Sequence, residues 1–131
     1  MGQRVLIVDD SRLARATIRK YLVQAGLEVA GEAGNGREAI ELFTQLSPDL
    51  VTLDITMPEM DGVTAFREIR KRAPKAAVLL VTSLDQKFIA DEVANDPYGG
   101  LIPKPFSSFD LLKAVRSVLH LEDSTDSYTE A

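Results

Sequence analysis

A chain of 131 residues is long enough for one ordinary domain with a real core and too short for two comfortable ones. Its composition, 45% hydrophobic and 27% charged, is globular rather than disordered, and it holds no apolar run long enough to span a membrane. A net charge of −5 argues against general nucleic-acid binding, and the lack of cysteine excludes a disulfide framework, a thiolate metal site and a cysteine nucleophile. The opening MGQRVLIVDD lacks the regions of a signal peptide, so a cytoplasmic location is expected.

RVLIVDD is a β-branched run closed by two acids and predicts a buried strand. Ser11 can cap the helix that follows, with Ala14, Thr17, Ile18, Tyr21, Leu22 and Ala25 on one face and Gly26 as its stop. Arg12, Arg15, Arg19 and Lys20 lie elsewhere on that helix and read as a solvated surface or a docking face for a kinase. LEVAGEA predicts the second strand, and a helix from about Arg37 to Leu46 turns Ala39, Ile40, Phe43 and Leu46 inward. DLVTLD is the third strand, again ending on an acid. The loop ITMPEMDG leads to a helix near residues 63 to 72 with Val63, Phe66 and Ile69 at helical spacing.

AAVLLVT predicts the fourth strand, and SLDQKFIADEVANDPYGG a helix stopped at NDP. LIP is a short fifth strand, and FDLLKAVRSVLHL a closing helix with Leu111, Leu112, Val115, Val118 and Leu119 inward. Residues 122–131, EDSTDSYTEA, have almost nothing to bury and read as a disordered acidic tail or the start of a linker after a domain spanning 1–121. Five strand–helix repeats with continuous apolar strands imply an α/β fold, a parallel sheet covered by helices on both faces. Right-handed crossovers leave few topologies, among them the flavodoxin-like doubly wound sheet of order 2-1-3-4-5.

In such sheets the active crevice lies at the carboxyl ends of the strands. Here those ends carry Asp9-Asp10, Asp54, Thr82-Ser83 and Lys104. Two like charges about 4 Å apart repel by roughly 4 kcal/mol at an effective dielectric near 20, so clustered acids need a cation or a proton. Hard oxygen ligands without a nearby His or Cys select Mg²⁺, or Mn²⁺, over zinc. The Thr82 hydroxyl and the Lys104 ammonium are what a phosphoryl group needs on its other side. The constellation points to phosphoryl chemistry. Asp54, alone at the end of a central strand, is the candidate nucleophile; Asp9 and Asp10 are better placed to hold metal.

VLIVDDS, VTLDITMPEMDG, VTS and KPF, in this order and spacing over about residues 3 to 120, resemble the receiver domain of two-component response regulators, the CheY-like superfamily. LIVDDS and PDLVTLDI look most like the chemotaxis-type regulators or the receiver of the chemotaxis methylesterase. The resemblance implies that Asp54 takes a phosphoryl group from a sensor histidine kinase or phosphotransfer domain. It implies that Asp10 and Asp54 bind Mg²⁺ directly with the backbone carbonyl of Thr56, while Asp9 acts through water. Lys104 would pair with Asp54 and then with the phosphoryl oxygens, Thr82 would swing its hydroxyl onto the phosphoryl group with Ser83 also binding it, and the Lys104–Pro105 peptide would be cis. The output would be a downstream protein, or a dimer, met through the face of the fourth predicted helix, the fifth strand and the closing helix. Leu101 departs from the pattern: the family places an aromatic switch ring three residues before the lysine. Leu84 and Thr56 would flank the phosphoryl site.

Three functions compete. The first is a phosphoacceptor switch that is no enzyme beyond chemistry on its own aspartate, either free-standing or cut from a longer regulator. An aspartyl-phosphate phosphatase of the haloacid dehalogenase type would carry a second acid two residues after the nucleophile, which Asp54-Ile55-Thr56 lacks. A receiver-like interaction module would not need Asp9, Asp10, Asp54, Thr82 and Lys104 together. Elsewhere, Met57, Pro58 and Met60 read as a packed loop, Gly62 as a turn into the helix, and Phe88 and Ile89 as core or a partner patch. GEAGNG is not a dinucleotide loop, and His120 sits at a helix C-terminus without a catalytic partner.

Overall fold

The computed structural model describes residues 2–55, 57, 61–83, 90–91 and 93–121. Within them lie five strands, β1 (Arg4–Val8), β2 (Glu28–Ala33), β3 (Leu50–Asp54), β4 (Ala77–Thr82) and β5 (Gly99–Pro103). Four helices complete the described fold: α1 (Arg12–Gln24), α2 (Gly36–Leu46), α3 (Gly62–Arg72) and α4 (Ser108–Val118). All strand pairs are parallel, in the order β2-β1-β3-β4-β5. This is the flavodoxin-like doubly wound sheet. Most of the helix expected before β5 lies outside the described residues; Ala90, Asp91 and Val93 are helical. Leu84, Phe88, Ile89, Pro58 and Met60 also lie outside them.

Strand alternation divides the core in two. Leu6, Val8, Val51, Leu53, Val78 and Leu80 meet Ala39, Phe43, Ala65, Phe66 and Ile69 from α2 and α3. Val5, Ile7, Leu50, Leu79 and Val81 meet Ile18 and Leu22 of α1 and Leu111, Val115 and Val118 of α4. Each fully buried Leu or Ile contributes about 1.5–3 kcal/mol by leaving water, and among the described residues the central strands β1, β3 and β4 are rich in them. The crevice is built on their ends. Among the described residues no helix is long and apolar enough to cross a membrane.

Helix ends follow local chemistry. Ser11, Asn35, Asp61 and Ser107 each accept a hydrogen bond from a first-turn N–H, and Ser107 with Asp110 forms a capping box. Gly26, with φ of 90°, closes α1 in a Schellman motif: its N–H donates to the Val23 carbonyl and that of Leu27 to Leu22. The same pattern ends α4, with His120 at φ 58° in the glycine position. This is why the helix stops at Val118 rather than Leu121. The His120 ring stacks on Tyr98 with centroids 4.8 Å apart, and its Nε2 lies 2.6 Å from the Pro97 carbonyl oxygen. Those contacts offset the left-handed backbone.

Strand β5 runs back to Gly99, two residues beyond the expected LIP, because the Tyr98 carbonyl accepts from Val78 N–H and carries the pairing to the start of β4. Arg70 anchors the turn after α3. Its Nε donates to Asp96 at 2.7 Å and its Nη1 to the carbonyls of Ala73, Pro74 and Ala76. Ser47, at the end of α2, also holds a left-handed conformation, φ 46°. Ser47→Gly is expected to stabilise the domain by about 0.5–1 kcal/mol, the strain relieved exceeding the extra freedom of the unfolded chain. A higher urea midpoint at unchanged m-value is the check.

Candidate functional site

The crevice is assembled from four strand ends. β1 passes into Asp9, whose N–H extends the ladder to the Ala33 carbonyl at 3.0 Å, and then into Asp10 and the Ser11 cap. Asp54 and Thr82 are the last residues of β3 and β4. Lys104 follows β5, where its N–H donates to the Thr82 carbonyl at 2.7 Å, and the Lys104–Pro105 peptide is cis. Asp9, Asp54 and Thr82 are buried, whereas Asp10 and Ser83 are exposed. Carboxylate oxygens of Asp9, Asp10 and Asp54 all lie within 4.8 Å of one another.

Lys104 is held over this cluster. Its Nζ lies 2.9 Å from Asp9 Oδ2 and 3.7 Å from Asp54 Oδ1. The expected ion pair with Asp54 is present as the longer contact, and the hydrogen bond goes to Asp9 in addition. The other oxygen of Asp9 accepts from Ser11 N–H at 2.8 Å. Both oxygens of Asp9 are therefore engaged. Partial burial pushes the Lys104 ammonium down, but the Asp9 hydrogen bond and the charges of Asp54, Asp9 and Asp10 outweigh it and raise its pKa above the ordinary lysine value.

A set of three carboxylates with no nitrogen or sulfur donor fits Mg²⁺ or Mn²⁺. Thr56, the expected carbonyl ligand, lies outside the described residues. Leu101 is half-buried and packs on the cluster facing α2 and α3. Tyr98 cannot take over as the switch ring. β4 pairs Thr82 with Pro103 and Val78 with Gly99, so Tyr98 precedes β5 at the end of the sheet away from Thr82.

Two residues named in the sequence take other roles in the structure. Gly62 has no positive φ, so it is not a turn glycine. A Cβ there would lie 2.8 Å from Ile55 Cα and 2.9 Å from the Asp54 carbonyl carbon, so glycine is required by how closely α3 seats beneath the Asp54 peptide. Arg15, expected on a solvated surface, is largely covered and donates from Nη1 to the Asp9 carbonyl at 2.6 Å and from Nε to Glu32 at 2.9 Å. Its only visible signal was its place on the helix immediately after the acid pair. Met57 is buried in the core, as a packed loop residue should be.

Known proteins agree with this architecture. The sequence model of the response regulator receiver domain matches residues 5–116. The chain is 43% identical over 118 residues to the chemotaxis protein CheY of Thermotoga maritima, covering 90% of this chain and 98% of that one. A segment of 77 residues is 52% identical to the protein-glutamate methylesterase/protein-glutamine glutaminase of Archaeoglobus fulgidus, covering 59% of this chain and 22% of that one. Among solved structures, the CheX-CheY-BeF3-Mg²⁺ complex from Borrelia burgdorferi superposes with a TM-score of 0.83 at 31% identity, covering 88% of each chain. With an acid triad and a lysine at the carboxyl ends of a 2-1-3-4-5 sheet, the chain belongs to the response regulator receiver domain family.

Proposed function

We propose that this protein is a cytoplasmic phosphoacceptor switch of a two-component system, with Asp54 as the acceptor. The observation that carries this reading is the acid triad within 4.8 Å, with Lys104 reaching two of its members. A carboxylate oxygen of Asp54 forms a bond to phosphorus as the phosphorus–nitrogen bond of a kinase or phosphotransfer-domain phosphohistidine breaks, and the imidazole nitrogen leaves with the electron pair. Asp10, Asp54 and the Thr56 carbonyl would hold Mg²⁺, which when bound neutralises charge on the phosphoryl oxygens. Lys104 supplies a fixed cation from the other side, and Thr82 and Ser83 offer hydroxyls to the transferred group. Little else is required of the protein, because catalysis here is positioning and charge neutralisation.

The output is contact with a downstream protein, and Leu101 means that it proceeds without the usual ring at that position. A second reading, in which the same switch governs a longer chain, is favoured by the match to a stretch that makes up 22% of the Archaeoglobus methylesterase. The decisive experiment is phosphoryl incorporation from acetyl phosphate into wild type and Asp54→Ala, with Mg²⁺ and with chelator. Incorporation is expected in wild type with Mg²⁺ and in none of the other three cases. A wild type that binds Mg²⁺ yet stays unlabelled, or an Asp54→Ala variant labelled equally, overturns the reading.

A further inference from the structure

We propose that Arg15 is a positioning residue for the cation site, holding the Asp9–Asp10 peptide so that the Asp10 carboxylate stays turned toward Asp54. The inference rests on the phosphoacceptor reading and names a residue that sets its metal affinity. Asp10 is exposed, and its side chain makes no hydrogen bond or ion pair with any described residue. Packing therefore does not aim it. What aims it is the peptide leading into it, and the carbonyl of that peptide is Asp9 O, which accepts from Arg15 Nη1 at 2.6 Å.

Arg15 is itself fixed. Its Nε donates to Glu32 Oε1 at 2.9 Å, and Arg19 occupies the other oxygen of Glu32 at 2.7 Å. Burial pushes the Glu32 carboxyl up, but the hydrogen bonds and charges of Arg19 and Arg15 outweigh it and hold its pKa below the ordinary value, so the anchor stays ionised at neutral pH. The side chain of Asp9 is held separately, by Ser11 N–H and Lys104. Arg15 thus governs the carbonyl half of the same residue. Groups that orient ligands in this way commonly matter to metal affinity nearly as much as the ligands do.

The proposal has an unusual sign. Arg15 is a cation beside a cation site, so on charge alone its removal should tighten Mg²⁺ binding. A positioning role demands the reverse. Arg19 is the internal control, since it binds the same Glu32 and carries the same charge without touching the Asp9 carbonyl.

Mg²⁺ affinity of the full chain, measured by calorimetric titration after chelator treatment, separates the two. Arg15→Gln is expected to weaken Mg²⁺ about 10-fold, whereas Arg19→Gln binds as tightly as wild type or more so. Arg15→Lys, which keeps the charge but not the planar fork that spans both oxygens, falls between; it carries the comparison if circular dichroism shows that Arg15→Gln does not fold. Equal affinities of the Arg15 and Arg19 variants, with wild-type binding intact, overturn this inference and leave the phosphoacceptor reading standing. Absence of Mg²⁺ binding by wild type overturns both.

Discussion

Gly62→Ala is expected to cost about 2–3 kcal/mol of stability and, in the molecules that still fold, to abolish phosphoryl incorporation at Asp54. The added methyl would collide with the backbone of Asp54 and Ile55, not with the end of a side chain that could rotate away. Gly62 is also tied at its own N–H, which donates to the Ile55 carbonyl at 2.9 Å. Either α3 lifts from the sheet, exposing Phe66 and Ile69, or the Asp54 peptide turns and takes the carboxylate with it. Alanine is otherwise the better helix former by about 1 kcal/mol, so the net loss understates the clash. Gly34→Ala is the control: its Cβ would find nothing closer than 3.8 Å, and little change in stability is expected. Urea unfolding of both variants, beside acetyl phosphate labelling, checks the result. A Gly62→Ala protein of wild-type stability would show that α3 is free to move off its seat.

Lys104→Met should cost a similar amount, about 2–3 kcal/mol, by leaving the buried carboxylate of Asp9 without its counter-charge. The figure stands below that of a fully buried pair because the Lys104 side chain is 28% exposed. Mg²⁺ should restore much of the loss, since a cation that binds only the folded state stabilises it, by about 2.7 kcal/mol at a hundred times its Kd. The variant should therefore gain more from Mg²⁺ than wild type does. The pH dependence has a definite sign. Lys104 titrates above its unfolded value, so its contribution is complete below about pH 10.4 and is lost as pH rises through the higher folded value. Thermal melts of both proteins, with and without Mg²⁺, at neutral pH and at progressively alkaline pH are the measurement. A constant gap between wild type and variant from neutral pH to well above 10 would show that the lysine acts through packing.

The fold was legible because each central strand is an apolar run that ends on a chemically marked residue. Val5–Val8, Leu50–Leu53 and Ala77–Val81 announce burial, and Asp9, Asp54 and Thr82 mark where the mainly apolar runs end, although these three are buried too. The crevice followed from strand order and from the rule that parallel sheets work at their carboxyl ends. Four things could not be read. The hydrogen bond of Lys104 to Asp9, beside its expected pairing with Asp54, depends on the direction in which the chain leaves β5, an outcome of tertiary pairing with Thr82. Gly62 looks like any turn glycine until the distance between α3 and β3 is known. Arg15 looks solvated because helical periodicity does not tell which neighbour a polar side chain reaches across to. His120 in a left-handed cap is a further case, since sequence alone favours glycine there.

The lysine lying across two of the three acids also settles a matter of stoichiometry. Three carboxylates and one ammonium leave the ionised crevice with two negative charges, which one Mg²⁺ or Mn²⁺ balances. A monovalent ion would leave it under-compensated, and a second divalent ion would find no net charge left to attract it. Lys104 thus lowers the negative charge that a cation at this crevice would have to balance, while occupying an oxygen of Asp9 itself.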